Sequence, residues 1–487
     1  MVACPRSGQT VPLTIRVVAG AIRSRPLRLL QSTCRADMHD RRLPCHLGVV
    51  ILIRLARATG LVSAAVVALA TQTAQAQTVP AGPTRPGSAT LPPEVSRDVL
   101  PGVLERSRPA YDAVGLRVGG FRLTPRVDVS GFYNSNIYAL DNNKIDDAGV
   151  RIAPDLRLAS TWGRHALSVD VSGAINRFAT RTIENNESVS GVVSGRLDID
   201  RDTQLVTAVT LARRIQARGT QDEVLIGLTD PVAYRELSST ITGQRRFGNV
   251  TVAIGGTAGD FNYEDTRLNG VPVRLGDNNS SAYSANGRIL YQLGPAMGLF
   301  AQGTYSKANY VPSDRFPDRG SHGFSAVGGV AFGLTRLLTG EIGVGYLKQD
   351  FNAAVYRDIG AFNYVFKLDW FLSPLIDIHA NVDRTFQRSP LLGSAGIRLD
   401  TADVAVNYEL LRNLVLESSL YYVVNSYTGL SRRERRFGGA ATARYLANRN
   451  LSLFATLDAA RQRRAGASVL GRDYDRAVIS AGARVQL

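Results

Sequence analysis

The chain has 487 residues, of which 44% are apolar and 20% charged, with a net charge of +16, 46 glycines, 18 tyrosines and five histidines. Its three cysteines, Cys4, Cys34 and Cys45, all precede residue 46, which excludes a disulfide framework or a cysteine metal centre in the rest of the chain. The arginine excess is scattered along alternating segments, with no basic helix and no aromatic-interleaved patch, which excludes nucleic acid as a partner.

Arg54 and Arg57 precede an apolar run at residues 58–70, and Ala74-Gln75-Ala76 forms a small-residue cleavage site. This is the pattern of a signal peptide cut after Ala76 in Sec-type export, and the arginines interrupt the run too early for a spanning helix. Residues 1–37 are arginine-rich and patternless, so residues 1–76 read as a signal peptide behind a mis-called extension, with Met38 as the start. Removing residues 1–76 takes ten arginines and two aspartates from 57 basic and 41 acidic residues, leaving a net charge of +8. Residues 77–118 carry Pro80, Pro83, Pro86, Pro92, Pro93, Pro101 and Pro109. Such a composition cannot bury a core, and it reads as a disordered periplasmic leader too short to form a folded plug.

Residues 119–487 repeat one unit, a segment of about ten residues alternating apolar and polar, joined to the next by turns that are short and long in succession. Leu167, Val169, Val171 and Ile175 stand against Ser168, Asp170, Ser172 and Asn176. Phe362, Tyr364, Phe366, Leu368 and Trp370 oppose Asn363, Lys367 and Asp369. Gly, Pro, Asn and Asp clusters such as Phe247-Gly248-Asn249, Ser373-Pro374 and Arg412-Asn413 mark eight short connections. Nine long polar connections alternate with them. The fold class is therefore all-β: a transmembrane antiparallel up-and-down barrel of about eighteen strands, sixteen if the boundaries shift, in the cell outer membrane of a Gram-negative bacterium. Tyr133, Tyr138, Trp162, Phe178, Phe247, Tyr291, Tyr310, Trp370, Phe371 and Tyr427 fall near strand ends and suit two interfacial girdles. The last strand places Ser480, Gly482, Val485 and Leu487 in the polar–x–Gly–x–x–apolar–x–apolar pattern of an assembly signal read by the barrel-assembly machinery.

The polar faces nominate the pore lining: Asp170, Arg196, Asp198, Arg246, Arg288, Lys367, Asp369, Asp377, His379, Asp383, Arg398, Asp400, Glu417, Arg444, Asp458 and Arg484. Both signs occur in similar number, which suggests cross-strand pairs and water rather than a ring selecting one ion. His165, His322 and His379 have no serine at a spacing that alternation brings together, so no enzyme is expected, and no cofactor or metal. The loop Asp141-Asn142-Asn143-Lys144-Ile145-Asp146-Asp147 lacks the glycine of a calcium loop and reads as solvated. Arg432-Arg433-Glu434-Arg435-Arg436 reads as a rim that could meet anionic lipopolysaccharide or an acidic sugar, with a solvated rim as the plainer reading.

Arg108-Pro109-Ala110-Tyr111-Asp112, the following Gly115-Leu116-Arg117-Val118-Gly119-Gly120-Phe121, then Leu123 and Pro125 resemble the opening segment of the putative β-barrel porin 2 family. Tyr133-Asn134-Ser135-Asn136-Ile137-Tyr138 is similar to that family's next strand end, as are Pro154, Ser160 and the turn from Trp162 to His165. Ser135 departs from it where an acidic residue is commoner. The resemblance runs from Arg108 to the end of the chain. It implies a proteobacterial outer-membrane barrel, some members being linked to export of capsular or exopolysaccharides. The functional expectation is a polysaccharide-export conduit working with a periplasmic export protein. The alternatives are a general diffusion porin for small hydrophilic solutes, which an inward constricting loop would favour though none is evident, and a structural or adhesive surface barrel. Outer-membrane lipid and lipopolysaccharide are the expected surroundings.

Overall fold

A strand that alternates apolar and polar residues along its whole length is stable when hydrocarbon covers one face and a wet interior the other. In lipid it must also leave no edge unpaired. The computed structural model meets these conditions with a closed barrel. It describes residues 101–220, 230–268, 270–389, 391, 393–465 and 473–487. The signal peptide, its cleavage after Ala76, the cysteines and the leader up to residue 100 lie outside the described residues.

Eighteen strands follow one another around the barrel: β1 Phe121–Asn134, β2 Asp147–Ser160, β3 Ala166–Phe178, β4 Asn186–Asp198, β5 Thr203–Ile215, β6 Ala233–Phe247, β7 Val250–Tyr263, β8 Ser280–Gly294, β9 Met297–Tyr310, β10 Ser321–Thr335, β11 Leu338–Phe351, β12 Ile359–Ser373, β13 Ile376–Arg388, β14 Gly396–Leu411, β15 Leu414–Thr428, β16 Arg433–Leu446, β17 Leu451–Arg464 and β18 Tyr474–Gln486. Each pairs antiparallel with its neighbours, and β1 pairs with β18 from Arg126 opposite Gln486 to Asn134 opposite Val478, which closes the cylinder. A short segment, Leu116–Val118, folds back onto the start of β1. The eight short connections fall where the turn chemistry placed them. Between β6 and β7, Phe247 pairs with Val250 and Gly248 takes a φ of 58°, the left-handed first position of a two-residue hairpin turn.

Alternation sorts the faces. On β1, Val127, Val129 and Tyr133 are exposed outward while Arg126, Asp128 and Ser130 point in. On β8, Tyr291 near the short-turn end and Tyr283 near the long-loop end both face out. Eight residues separate them, about 26 Å along the strand at about 3.3 Å per residue, so a tilt of about 40° brings the vertical distance near the height of a barrel's apolar band. Tyr133, Trp162, Phe247, Tyr291 and Trp370 are outward and exposed, as girdle residues should be. Tyr138, Tyr310, Phe371 and Tyr427 are buried instead, and Phe178 packs edge-on against the inward Phe132. These five are corrected from girdle to interior: inward segments cover Tyr138, Tyr310, Phe371 and Tyr427, and Phe178 meets the inward-facing Phe132 of β1.

The last eighteen residues assigned to the leader differ from that expectation. Residues 101–118 are ordered along the short-turn end rather than disordered. The Val103 amide donates to the Asp377 carboxylate, and Arg108 donates to Glu409 at 2.9 Å and to the Val103 carbonyl at 2.7 Å. Arg449 Nε donates to the Pro109 carbonyl at 2.8 Å. Residues 101–118 have no core of their own and are held by backbone groups and arginines that meet acids already on the barrel.

Candidate functional site, the lumen and its two mouths

The inward faces make two different walls. Along β6 to β9 they are mostly neutral hydroxyls and amides, among them Thr242 and Gln244, Ser284 and Asn286, Thr304 and Ser306. Thr240 and Thr257 meet across β6 and β7 at 3.3 Å. From β15 round to β3 the wall is ionic and paired across strands: Arg444 with Glu417 at 3.0 Å, Arg484 with Asp128 at 2.7 Å, Arg126 with Asp155 at 2.9 Å and Arg157 with Asp170 at 3.7 Å. At the far side, Glu341 of β11 is buried between Arg288, 2.6 Å away, and Lys367, 2.9 Å away. The Arg288 guanidinium also lies over the Phe300 ring at 4.2 Å.

Most nominated residues share this interior. Asp170, Arg288, Lys367, Glu417, Arg444 and Arg484 belong to the pairs just described. Arg196 and Asp198 meet at 3.3 Å near the short turns, and Arg246 reaches Asp202 there at 2.9 Å in an exposed pair. Asp458 lies 3.8 Å from Arg476 near the long-loop end, and Asp383 points in from β13, opposite Thr401. His379 bridges two carboxylates, with Nδ1 2.6 Å from Asp369 and Nε2 3.1 Å from Asp377. Asp377 also accepts from Asn407 and from the Val103 amide, so this cluster anchors the leader. Ser480 and Gly482 point inward at the seam, while Val485 and Leu487 are exposed.

Arg398 and Asp400 do not line the pore. On β14 it is Ile397 and Leu399 that are buried inside, packed with Tyr427 and with Tyr421 and Val423 respectively, so their neighbours face out. Asp400 accepts from Tyr364 Oη at 3.2 Å and pairs with Arg384 and, at 3.9 Å, with Arg398. Alternation inverts here because an inward loop covers this part of the interior, turning a wet wall into a small apolar core.

Among the described residues, the long-loop segments around Ser389 and Gly219 fold inward. Tyr310 Oη donates to the Ser389 carbonyl at 2.8 Å, and Arg319 donates to the Leu391 carbonyl and to Asn278. Ser389, Leu391, Ser394 and Ala395 are buried as a result. Opposite them, the Gly219 carbonyl accepts from Tyr474 Oη at 2.8 Å and from Arg436 at 3.2 Å, while Arg218 pairs with Glu184 at 2.7 Å. The expectation that no loop turns inward is overturned. Its cause is carbonyl capture by arginine and tyrosine side chains contributed from distant strands.

A closed eighteen-stranded barrel with polar walls and inward loops is a porin architecture, and a family model described as putative beta-barrel porin 2 matches residues 108–487. The chain belongs to that family. This porin-family member is therefore an outer-membrane barrel of transport type. Among solved structures it is similar to OpdQ of Pseudomonas aeruginosa, at 11% identity and a TM-score of 0.38, covering 75% of this chain and 98% of that one. The copper transporter OprC is similar at 11% identity and a TM-score of 0.41, covering 77% and 84%. The siderophore receptor PirA from Pseudomonas aeruginosa is similar at 9% identity and a TM-score of 0.36, covering 74% and 80%. No curated protein matches.

Sequence reasoning missed Glu341, Asp128 and Arg126 in this porin's interior. Alternation against Ile342 and Val344, and against Val127 and Val129, is the signal that would have found them. Among the described residues, no three His, Cys, Asp or Glu side chains come together as a metal site.

Proposed function

We propose that this porin is a passive pore for small hydrophilic solutes, narrowed at the long-loop mouth by the segments around Gly219 and Ser389. The observation that carries the reading is the anchoring of both segments inside the barrel by Tyr310, Arg319, Arg436 and Tyr474. A permanent constriction of this kind sieves by size. Paired charges on one wall, and mostly neutral hydroxyls and amides with the paired Arg288, Glu341 and Lys367 on the other, give no large field of one sign, which suits neutral or zwitterionic solutes. Export of a capsular or exopolysaccharide chain would require both segments to swing aside, and no contact among the described residues favours that reading.

Liposome swelling with the purified protein tests it. Monosaccharides should enter readily without any partner, with rates falling steeply for larger oligosaccharides. A barrel that admits no small solute alone, yet passes long glycans once a periplasmic protein is added, would restore the export conduit.

A further inference from the structure

Alternation along β16 divides the arginine-rich run. Arg432, Glu434 and Arg436 are buried on the inner side, with Arg432 held 2.7 Å from Glu434. Arg433 and Arg435 face outward and are exposed. On β17, Arg461 and Arg463 face the same way, and the strand register sets Arg435 directly opposite Arg463.

Like charges directly opposite in an antiparallel pair repel and cost stability. Asp475 answers part of that charge, 2.6 Å from Arg461 and 2.9 Å from Arg463, but Lys144 also lies 3.8 Å from it. Arg433 and Arg435 have no ion-pair partner among the described residues. Elsewhere on the same outer rim most cations are matched, Arg177 with Glu187, Arg213 and Arg235 with Glu264, Lys348 with Asp350, while Lys307 stands singly with no ion-pair partner among the described residues. Here four arginines cluster around one aspartate.

Its height is also defined. Phe437 sits directly across from Arg461 and is exposed outward, as are Leu457 and Ile479 on the neighbouring strands. The arginines thus stand at the long-loop edge of the apolar band. In a barrel of this type the long loops are on the outside, so this is the headgroup level of the outer leaflet.

We propose that Arg433, Arg435, Arg461 and Arg463 form a binding site for the phosphate groups of lipopolysaccharide. Guanidinium groups pair with phosphate through parallel hydrogen bonds, and a phosphorylated lipid places its acyl chains on the apolar face just below. The bound anion would relieve the repulsion between Arg435 and Arg463.

Native mass spectrometry of the full chain in detergent micelles, titrated with bisphosphorylated lipid A, dephosphorylated lipid A and inorganic phosphate, tests the site. The bisphosphorylated lipid should bind at least tenfold more tightly than the dephosphorylated one, and millimolar inorganic phosphate should not displace it. An Arg433→Gln/Arg435→Gln double variant should lose at least tenfold in affinity, while Arg177→Gln/Arg213→Gln on the balanced side should not. Equal binding of the two lipids, or undiminished binding by a folded double variant, would overturn the proposal. Displacement by inorganic phosphate would also overturn it, in favour of a free-anion site. The comparison of lipids on the unaltered protein needs no variant to fold.

Discussion

The Arg484 guanidinium of β18 grips both carboxylate oxygens of Asp128 on β1, each at 2.7 Å. These residues lie 356 positions apart, and their pairing is made only when the last strand meets the first. It is a side-chain clasp on the seam that closes the barrel. The two parallel hydrogen bonds also set the strand register, because a one-residue slip would turn Arg484 to the lipid side.

Asp128→Asn should therefore cost about 2 kcal/mol, the usual loss when a hydrogen bond to a charged group is broken inside a protein. Asp170→Asn, in a looser and more exposed pair with Arg157, should cost less than about 1 kcal/mol. Denaturant titration of the refolded barrel, read by heat-modifiable gel migration, compares the two. Equal midpoints would remove the seam pair from its role.

The leader should restrict the short-turn mouth. Glu409 receives both Arg106, at 3.3 Å, and Arg108, so Glu409→Gln should free residues 101–115 for limited proteolysis severalfold faster than in the unaltered protein. Single-channel conductance should rise in the same variant. A conductance indifferent to Glu409 would mean that the leader lies clear of the current path.

At the opposite mouth, Tyr310→Phe and Tyr474→Phe each remove one hydrogen bond to a loop carbonyl, at Ser389 and Gly219. A loss of about 1 kcal/mol shifts a loop equilibrium roughly fivefold. Current recordings should show correspondingly more frequent excursions to a larger conductance, with the double variant showing the most. Identical traces would place the constriction elsewhere.

Ion selectivity should separate inward from outward charge. Glu341→Gln leaves Arg288 and Lys367 unbalanced on the interior wall and should shift the reversal potential in a salt gradient toward anions. Asp400→Asn removes a carboxylate of similar sequence context from the outer face and should leave that potential unchanged.

A pH effect is expected at the outer rim. Glu264 follows β7, and hydrogen bonding from Arg213, with help from Arg235, holds its carboxyl below the usual glutamate value of 4.5. A depressed carboxylate stabilises the fold fully above its unfolded value, and that contribution is lost as the pH falls through the folded value. The window thus opens below about pH 4.5, and the effect is small because the group is partly exposed. Amide exchange in the β6–β7 hairpin should accelerate across that window in the native protein. In Glu264→Gln it should already be faster at neutral pH and change little on acidification.

The strand count and the eight short turns were legible in the residues alone. Period-two alternation and Gly, Pro, Asn and Asp turns act over a few neighbours, so they survive without knowledge of the rest of the chain. The family, too, was visible in a short stretch from Arg108 to His165. Arg398 and Asp400 show where local reading stops: charge alone suggested an inward face, but Leu391 of a folded-in loop covers Ile397 and reverses the sides. The inward loops and the ordered leader depend on bonds such as Arg436 to Gly219 and Arg108 to Glu409, whose partners are 217 and 301 residues apart. No local pattern announces a carbonyl as the partner of a particular distant arginine. Closure of the barrel brings the two together.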